Sequence, residues 1–278
     1  MNYLNKEYEN LTKTGKEYNE KYKNAAPFPN IHFDDFLNPD FLREVLAEFP
    51  DLSKKDHIHF NNPNEIKLAS RGEGLFGPKT KELVHFLNSE LFLNFLQEIT
   101  GIKETLFPDP YFEGGGFHEI KPGGLLKVHA DFNKHRKGNL DRRLNVLIYL
   151  NEDWKEEYGG HFELWTEDMK SCVTKILPKF NTMAMFSTTD FSYHGHPTPL
   201  TCPPDRSRKS LALYYYSNGR PSEEVNEGLE DHRTLFVARK GVKGEEKMKF
   251  FNTFVEIVTA ITPPIIIKLI KRVFIKTH

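Results

Sequence analysis

The spacing of apolar residues along the chain changes near Pro108. Before that point, apolar residues recur at intervals of three and four, which is the spacing of one helix face. The pattern predicts a helix that begins at Asn38 and a second helix over residues 79–100 that ends at Gly101. A short apolar run over residues 31–36 predicts a strand ahead of both helices.

Beyond Pro108, short apolar or aromatic runs alternate with clusters of Gly, Pro and Asn, which is typical of β-strands and their turns. Seven such runs occupy residues 111–120, 125–131, 144–150, 161–165, 172–177, 182–186 and 210–217. Short strands at this spacing predict a mainly β (α+β) fold with a jelly roll or another antiparallel barrel as its core. We expect the upstream helices to flank one sheet of that core.

Three segments follow from these patterns. Residues 1–25 are rich in Lys, Glu and Asn and predict a helical appendage outside the core. Residues 26–221 hold the predicted jelly-roll domain, and residues 222–278 hold a charged linker and a C-terminal amphipathic helix that begins at Thr262. Three roles are open for the apolar face of that helix: docking on its own domain, contact with a second subunit, or binding to an anionic membrane surface.

Composition narrows the possible partners of the protein. Its 278 residues carry a formal net charge of −1, so no overall field favours nucleic acid, and we expect no such partner. The sequence predicts no transmembrane segment, because two prolines and Lys268 interrupt the longest apolar stretch. Only Cys172 and Cys202 are present and the N-terminus is polar, so we expect a reducing, cytoplasmic setting.

Candidate chemistry begins at His129-Ala130-Asp131, within one of the predicted strands. Side chains two residues apart in a strand project from the same face, so His129 and Asp131 can converge on one metal ion. The pair alone is a weak signal, because the chain has 12 histidines and such a pair arises readily by chance. A polar strand edge would give the same pattern.

The order of the residues downstream of this pair is more specific. A strand that ends at Tyr149 follows, then a Gly-Gly turn, and His194 and Arg208 come later in the chain. This order resembles the iron(II)/2-oxoglutarate-dependent dioxygenases, in particular the branch of the prolyl 4-hydroxylase catalytic domains, over residues 26–221. The resemblance implies a double-stranded β-helix (cupin-like jelly roll) core, Fe(II) as cofactor and 2-oxoglutarate as cosubstrate.

The resemblance also implies which residues hold the metal. Matched to the family motif residue by residue, the ligands would be His129, Asp131 and His194, a facial triad that leaves coordination positions open. His196 would share a face of an extended segment with His194 and stays open as the alternative third ligand.

A cosubstrate site is implied in the same way. An Arg-x-Ser step of the family matches Arg208 and Ser210, and the guanidinium would bind the distal carboxylate of 2-oxoglutarate as a fork. Tyr149 matches the position whose hydroxyl reaches that carboxylate, and Asn145 is a further candidate on the same strand face. The segment that precedes the arginine is longer than the family pattern and contains four prolines, so Arg206 stays open as the anchor.

The implied activity is hydroxylation of an organic substrate with O₂, with release of succinate and CO₂ and with ascorbate as the reductant of the iron. The substrate stays open between a prolyl residue of a protein or peptide and a small molecule, lipid or saccharide, because a cofactor site does not specify what lies opposite the metal. A catalytically silent jelly-roll binding module is the third hypothesis.

Overall fold

The computed structural model describes residues 3–253 apart from residues 55, 225–231, 240, 243–244, 246–247 and 249. The helices of this part of the chain are α1 (Leu11–Lys23), α2 (Pro39–Ala47), α3 (Pro78–Leu87) and α4 (Glu90–Thr100). Its strands are β1 (Asn30–Phe33), β2 (Ile58–Asn61), β3 (Glu65–Ala69), β4 (Phe107–Pro108), β5 (Gly116–Ile120), β6 (Leu125–Ala130), β7 (Lys134–His135), β8 (Leu140–Tyr149), β9 (Phe162–Trp165), β10 (Cys172–Ile176), β11 (Met183–Ser187), β12 (His194–His196), β13 (Arg208–Ser217) and β14 (Leu235–Phe236).

These strands form one antiparallel sheet whose main path runs β1-β11-β8-β13-β5-β3-β6-β12-β9-β10. Most neighbours on this path are far apart in the chain, so the connections cross over the ends of a nearly closed barrel. The long central strands β8 and β13 pair with Ser210 opposite Tyr149 and Tyr214 opposite Asn145. The predicted mainly β fold with an antiparallel jelly-roll core is confirmed, and each of the seven predicted runs contains or overlaps a strand.

The helices and one face of the sheet enclose the main apolar core. Aromatic rings are prominent in it, and the ring centroids of Phe36 and Phe95 lie 5.9 Å apart. Alternate residues of the two central strands face this core, namely Leu144, Val146 and Ile148 of β8 and Leu211, Leu213 and Tyr215 of β13. Because side chains alternate between the faces of a strand, the intervening residues face the interior of the barrel.

The predicted single helix over residues 79–100 is wrong, because the chain forms two helices there. Helix α3 ends at Leu87, and Ser89 caps the N-terminus of α4 by accepting a hydrogen bond from the amide of Phe92 at 3.4 Å. The apolar spacing continues across the break, so periodicity alone could not locate it. Gly101 ends α4 in the left-handed conformation with φ of 76°, at the predicted residue.

The N-terminal segment is not outside the core, as the sequence led us to expect. Helix α1 packs along α4, and Leu11 and Tyr22 are buried in the main apolar core. The close approach depends on Gly15, where a Cβ atom would lie 2.9 Å from the Cβ of Glu98. The helix is mostly polar, but its few apolar side chains lie on the face that is covered.

A hairpin of β2 and β3 was not predicted. Its strands have only four and five residues, and Ala69 is the only one of these residues that is buried. Strand β3 pairs with both β5 and β6. Since β6 carries a predicted metal ligand, this insertion brings the hairpin to the candidate site.

The predicted helix from Thr262 lies outside the described residues. Of the helices in the described part of the chain, none is both long and apolar enough to cross a lipid bilayer.

We expect Asn181→Ala to destabilise the fold by about 2–4 kcal/mol, because two buried backbone groups would lose their partners. The Asn181 side chain accepts a hydrogen bond from the Leu37 amide at 2.9 Å and donates one to the Leu37 carbonyl at 2.7 Å. Asn139 provides the control, because it also has a positive φ (50° against 64°) but is exposed. Asn139→Ala should cost about 1 kcal/mol from backbone strain alone. Equal losses in urea unfolding would contradict this role of the Asn181 amide.

Candidate metal centre

Strands β6 and β12 bring three of the predicted residues together. His129 of β6 lies opposite His194 of β12, and Asp131 directly follows β6. Asp131 lies 3.6 Å from His129 (Oδ1 to Nε2) and 3.4 Å from His194 (Oδ2 to Nε2). One ligand atom from each residue can be chosen so that all three lie within 4.8 Å of one another, and in the described part of the chain this is the cluster with that property.

Backbone carbonyls set the tautomer of both imidazoles. Nδ1 of His129 lies 2.7 Å from the carbonyl oxygen of Lys127, and Nδ1 of His194 lies 2.8 Å from that of Ser192. A carbonyl oxygen only accepts hydrogen bonds, so each Nδ1 carries the proton and each Nε2 presents a lone pair to the cluster. Burial, helped by the neighbouring His194, lowers the pKa of His129, so its ring stays neutral and able to ligate a metal.

The carboxylate of the cluster is held in its charged form. Burial of Asp131 opposes ionisation, but the Arg142 guanidinium and His194 hold its pKa well below the ordinary value. Two imidazoles, each with its Nδ1 against a backbone carbonyl, and one carboxylate form the donor set of a facial triad. The residues therefore fit Fe(II).

His196 lies on the same strand but does not join this cluster. The pairing of β12 with β6 shifts between the two histidines, and His196 lies opposite Leu126. Its ring is buried, and neither nitrogen makes a hydrogen bond of good geometry within the described residues, although the Thr198 backbone lies near. Burial, with Arg208 next, lowers its pKa well below the ordinary value, so the ring is neutral.

A cavity extends from the cluster to Arg208, and Asn145, His196 and Ser210 are among the residues that line it. Arg208 is buried, donates from Nε to the Gly160 carbonyl at 2.7 Å, and donates from Nη2 to the Tyr149 hydroxyl at 3.2 Å. The other candidate anchor lies elsewhere, because the guanidinium of Arg206 donates to the carbonyl of Glu152.

The structure places Asn145 next to the metal ligand rather than next to Arg208. Its amide nitrogen donates to Oδ2 of Asp131 at 2.6 Å, and its oxygen accepts from Nε of Arg142 at 3.1 Å. The amide also lines the cavity, so its predicted role toward the cosubstrate stays a prediction.

A second cavity lies against the same cluster and shares His129 and Asp131 with the first. Its other walls come from the β2–β3 hairpin, the glycine turn before β5, and the described segment around β14. Phe236 of β14 pairs with His129, and the two ring centroids lie 5.1 Å apart. His232 fastens this segment through Nε2, which lies 2.7 Å from Oδ1 of the buried Asp190.

Arg142, His118, Lys67 and Phe236 all contact or line the site but were not predicted from the sequence. Arg142 lies two residues before the predicted strand of residues 144–150, at a place where a charged residue is usually solvated. Its position 11 residues after Asp131 was the available signal. His118 lines both cavities, and burial, with Lys67 next, lowers its pKa to about 3.

Comparisons with known proteins agree with this geometry. Residues 115–216 match the family described as the 2OG-Fe(II) oxygenase superfamily. The chain is 26% identical over 185 residues to the prolyl 3,4-dihydroxylase OGFOD1 of Ostreococcus tauri, and 23% identical over 189 residues to the prolyl 3-hydroxylase OGFOD1 of Xenopus laevis. These alignments cover 60% and 65% of this chain but 34% of each relative, so the chain spans about a third of the length of the curated relatives it matches.

Solved structures show the same fold. A prolyl hydroxylase from Trichoplax adhaerens, in complex with a hypoxia inducible factor peptide fragment, superposes with a TM-score of 0.55 at 18% identity and covers 76% of this chain and 92% of its own. A prolyl-4-hydroxylase from Pseudomonas putida superposes with a TM-score of 0.51 at 15% identity, over 74% of this chain and 100% of its own. The resemblance predicted from the sequence is confirmed.

The two histidines of β12 differ in their expected effect on metal binding. His194→Ala removes one of the three clustered donors and should weaken binding of Co²⁺, used as a stable substitute for Fe²⁺, by more than about a hundredfold. His196→Ala should leave Co²⁺ affinity within about threefold, because His196 lies outside the cluster. Co²⁺ titration followed by visible absorption measures both, and the reverse ranking would make His196 the third ligand.

Proposed function

Because the chain carries a 2OG-Fe(II) oxygenase domain, we propose that the protein uses Fe(II), 2-oxoglutarate and O₂ to hydroxylate a carbon atom of an organic substrate, with a prolyl residue of a protein or peptide as the first candidate. His129, Asp131 and His194 would hold the iron. When bound, Fe(II) supplies the O₂ activation that couples conversion of 2-oxoglutarate to succinate and CO₂ with hydroxylation of the substrate.

The observation that carries this proposal is the buried guanidinium of Arg208, which lines the same cavity as the metal cluster. Its described polar contacts are a carbonyl and a tyrosine hydroxyl, and no acidic group acts on its pKa, which burial lowers. A buried cation without a carboxylate partner is costly, so an anionic ligand is the natural partner. The distal carboxylate of 2-oxoglutarate meets this requirement while its other end reaches the metal.

Neighbouring side chains complete the proposed cosubstrate site. Tyr149 is fully buried, and its hydroxyl already contacts the guanidinium, so it is held where it can donate to the same carboxylate. Ser210 lies opposite Tyr149 in the sheet and lines the same cavity. Bidentate pairing with the planar, buried guanidinium would fix the orientation of the cosubstrate.

The second cavity is the proposed entry for the substrate. Polar and apolar side chains both line it, and the apolar part of its walls includes Ile58, Phe60, Phe132 and Phe236. Such walls suit a C–H-bearing group that carries no charge, as a prolyl ring does. The names of the two OGFOD1 relatives support the same substrate class.

We further propose ascorbate as the reductant that keeps the iron in its Fe(II) state, and a cytoplasmic location. Two free cysteines in 278 residues, one of them buried, support a reducing compartment. For ascorbate the support is chemical, because turnover without substrate leaves oxidised iron that a small reductant can restore.

Purified protein with Fe(II) should convert 2-oxoglutarate to succinate slowly even without substrate. His129→Ala and Asp131→Ala should each abolish this reaction by removing a donor to the metal. Succinate is measured by mass spectrometry. Wild-type protein that binds Fe(II) and 2-oxoglutarate but forms no succinate would support a silent binding module instead.

Substrate class is decided by adding the active protein to two mixtures. A library of proline-containing peptides and a peptide-free metabolite and lipid extract are each searched for a mass gain of one oxygen atom that requires 2-oxoglutarate. We expect the gain on prolyl residues. A gain confined to the extract would assign a small molecule, lipid or saccharide.

Arg208→Lys should raise the 2-oxoglutarate concentration needed for half-maximal turnover by about tenfold or more, because lysine keeps the charge but loses the two-pronged contact. Metal affinity should change little. Arg206→Lys is the matched control, because that guanidinium contacts the Glu152 carbonyl instead of the cavity. An unchanged requirement in the Arg208 variant, with a raised one in the control, would move the anchor to Arg206.

A further inference from the structure

Arg142 is fully buried, with 0% of its surface exposed, and is the largest residue of the described chain in that state. Burying a guanidinium is costly, and pairing it with a carboxylate often does no more than offset that cost. Its Nη1 atom makes no hydrogen bond within the described residues, which adds to the cost. A contribution to the stability of the fold is therefore a poor explanation for a buried arginine at position 142.

The polar contacts of Arg142 lead to one oxygen atom of a metal ligand. Nη2 of Arg142 donates to Oδ2 of Asp131 at 2.9 Å, and Nε donates to the side-chain oxygen of Asn145 at 3.1 Å. Because this contact fixes the oxygen of the amide toward Arg142, the amide nitrogen faces Asp131 and donates to the same Oδ2 at 2.6 Å.

Two hydrogen bonds occupy Oδ2 of Asp131 and leave Oδ1 with both of its lone pairs. Both oxygens face the ligand cluster, since Oδ1 lies 3.6 Å from Nε2 of His129 and Oδ2 lies 3.4 Å from Nε2 of His194, but only Oδ1 is without a hydrogen-bond donor from Arg142 or Asn145. A carboxylate presented in this way offers one oxygen to a metal. Ligation through both oxygens would require Oδ2 to give up a charged hydrogen bond in a buried site, where such bonds are strong.

Two aromatic rings hold the plane of the guanidinium. Its central carbon lies 3.5 Å from the ring centroid of Tyr214 and 4.3 Å from that of Phe132. Tyr214 is itself fixed, because its hydroxyl donates to the Gly114 carbonyl at 2.8 Å. The guanidinium therefore has little freedom to turn away from Asp131.

We propose that Arg142 is a positioning residue that holds Asp131 by Oδ2, the oxygen that accepts two hydrogen bonds, so that Oδ1 is the oxygen left to ligate the metal. The inference rests on the proposed function, since it assumes that the cluster binds a metal. His129, Asp131 and His194 would then hold the metal with one donor atom each, and coordination positions would remain open for 2-oxoglutarate and O₂. Asn145 acts with Arg142 as the second donor to the same oxygen.

The neighbouring Arg143 provides a matched control. It is also buried and also paired with carboxylates, 2.8 Å from Glu104 and 3.1 Å from Glu224, but neither of these carboxylates belongs to the ligand cluster. Arg142→Met and Arg143→Met each remove a buried guanidinium from an ion pair. Both variants should therefore unfold at a lower temperature than the wild type.

Only Arg142→Met should change the metal centre. We expect its affinity for Co²⁺ to fall about ten- to a hundredfold, as is typical when a residue that orients a ligand is removed. Its Co²⁺ absorption bands should also shift, because the carboxylate can then bind through both oxygens. Arg143→Met should keep the wild-type bands and an affinity within about threefold.

Wild-type Co²⁺ affinity and bands in Arg142→Met would overturn the inference, as would equal changes in both variants. If Arg142→Met does not fold, Asn145→Ala takes its place, because it removes the other donor to Oδ2, and it must then shift the bands. A wild-type protein that binds no Co²⁺ would instead refute the metal site of the proposed function, so the two failures are distinguishable.

Discussion

Antiparallel pairing between β6 and β12 is the interaction on which the rest of the site depends. It places His194 opposite His129, and a shift of one residue would turn an imidazole to the other face of the sheet. Gly195 permits this pairing, because a Cβ atom there would lie 2.8 Å from the Leu126 carbonyl oxygen and 2.9 Å from that of Lys127. Any larger residue would force the two strands, and with them the ligands, apart.

Buried charged residues determine which kind of ligand fits the cavity beside β6 and β12. Asp131 and Arg142 neutralise each other, whereas Arg208 has no carboxylate among its described contacts. The histidines that line the cavity between them are neutral, because burial lowers the pKa of His118 and His196. The cavity is therefore lined both by metal-ligating groups and by a cation that has no carboxylate among its described contacts, and a ligand with an anionic end suits both.

One face of the sheet packs in the apolar core, and the other face carries the polar side chains of the site. The face of β8 that carries Val146 packs on the helices, whereas the opposite face presents Asn145 and Tyr149 to the site. Rigid packing on one side thus fixes the backbone from which the polar side chains project. The β2–β3 hairpin and the segment around β14 supply further walls of the second cavity, and neither belongs to the central strands.

Periodicity and turn residues in the sequence were enough to predict the antiparallel core, since both are local properties of the chain. The order of His129, Asp131, His194 and Arg208 was enough to predict the resemblance to the 2OG-Fe(II) oxygenases, because this order does not depend on the lengths of the loops between these residues. Sequence could not decide between His194 and His196, which occupy equivalent positions in an extended segment. The register against β6, and the shift within it, separates them.

Other features depended on contacts between distant parts of the chain. Helix α1 belongs to the core only because Gly15 lets it approach α4, and the break before Ser89 is hidden within a continuous apolar pattern. Arg142 looks in the sequence like the polar start of a strand. Its role depends on contacts with Asp131 and Tyr214, which lie 11 and 72 positions away in the sequence. These contacts form only in the folded barrel, so no local sequence pattern predicts them.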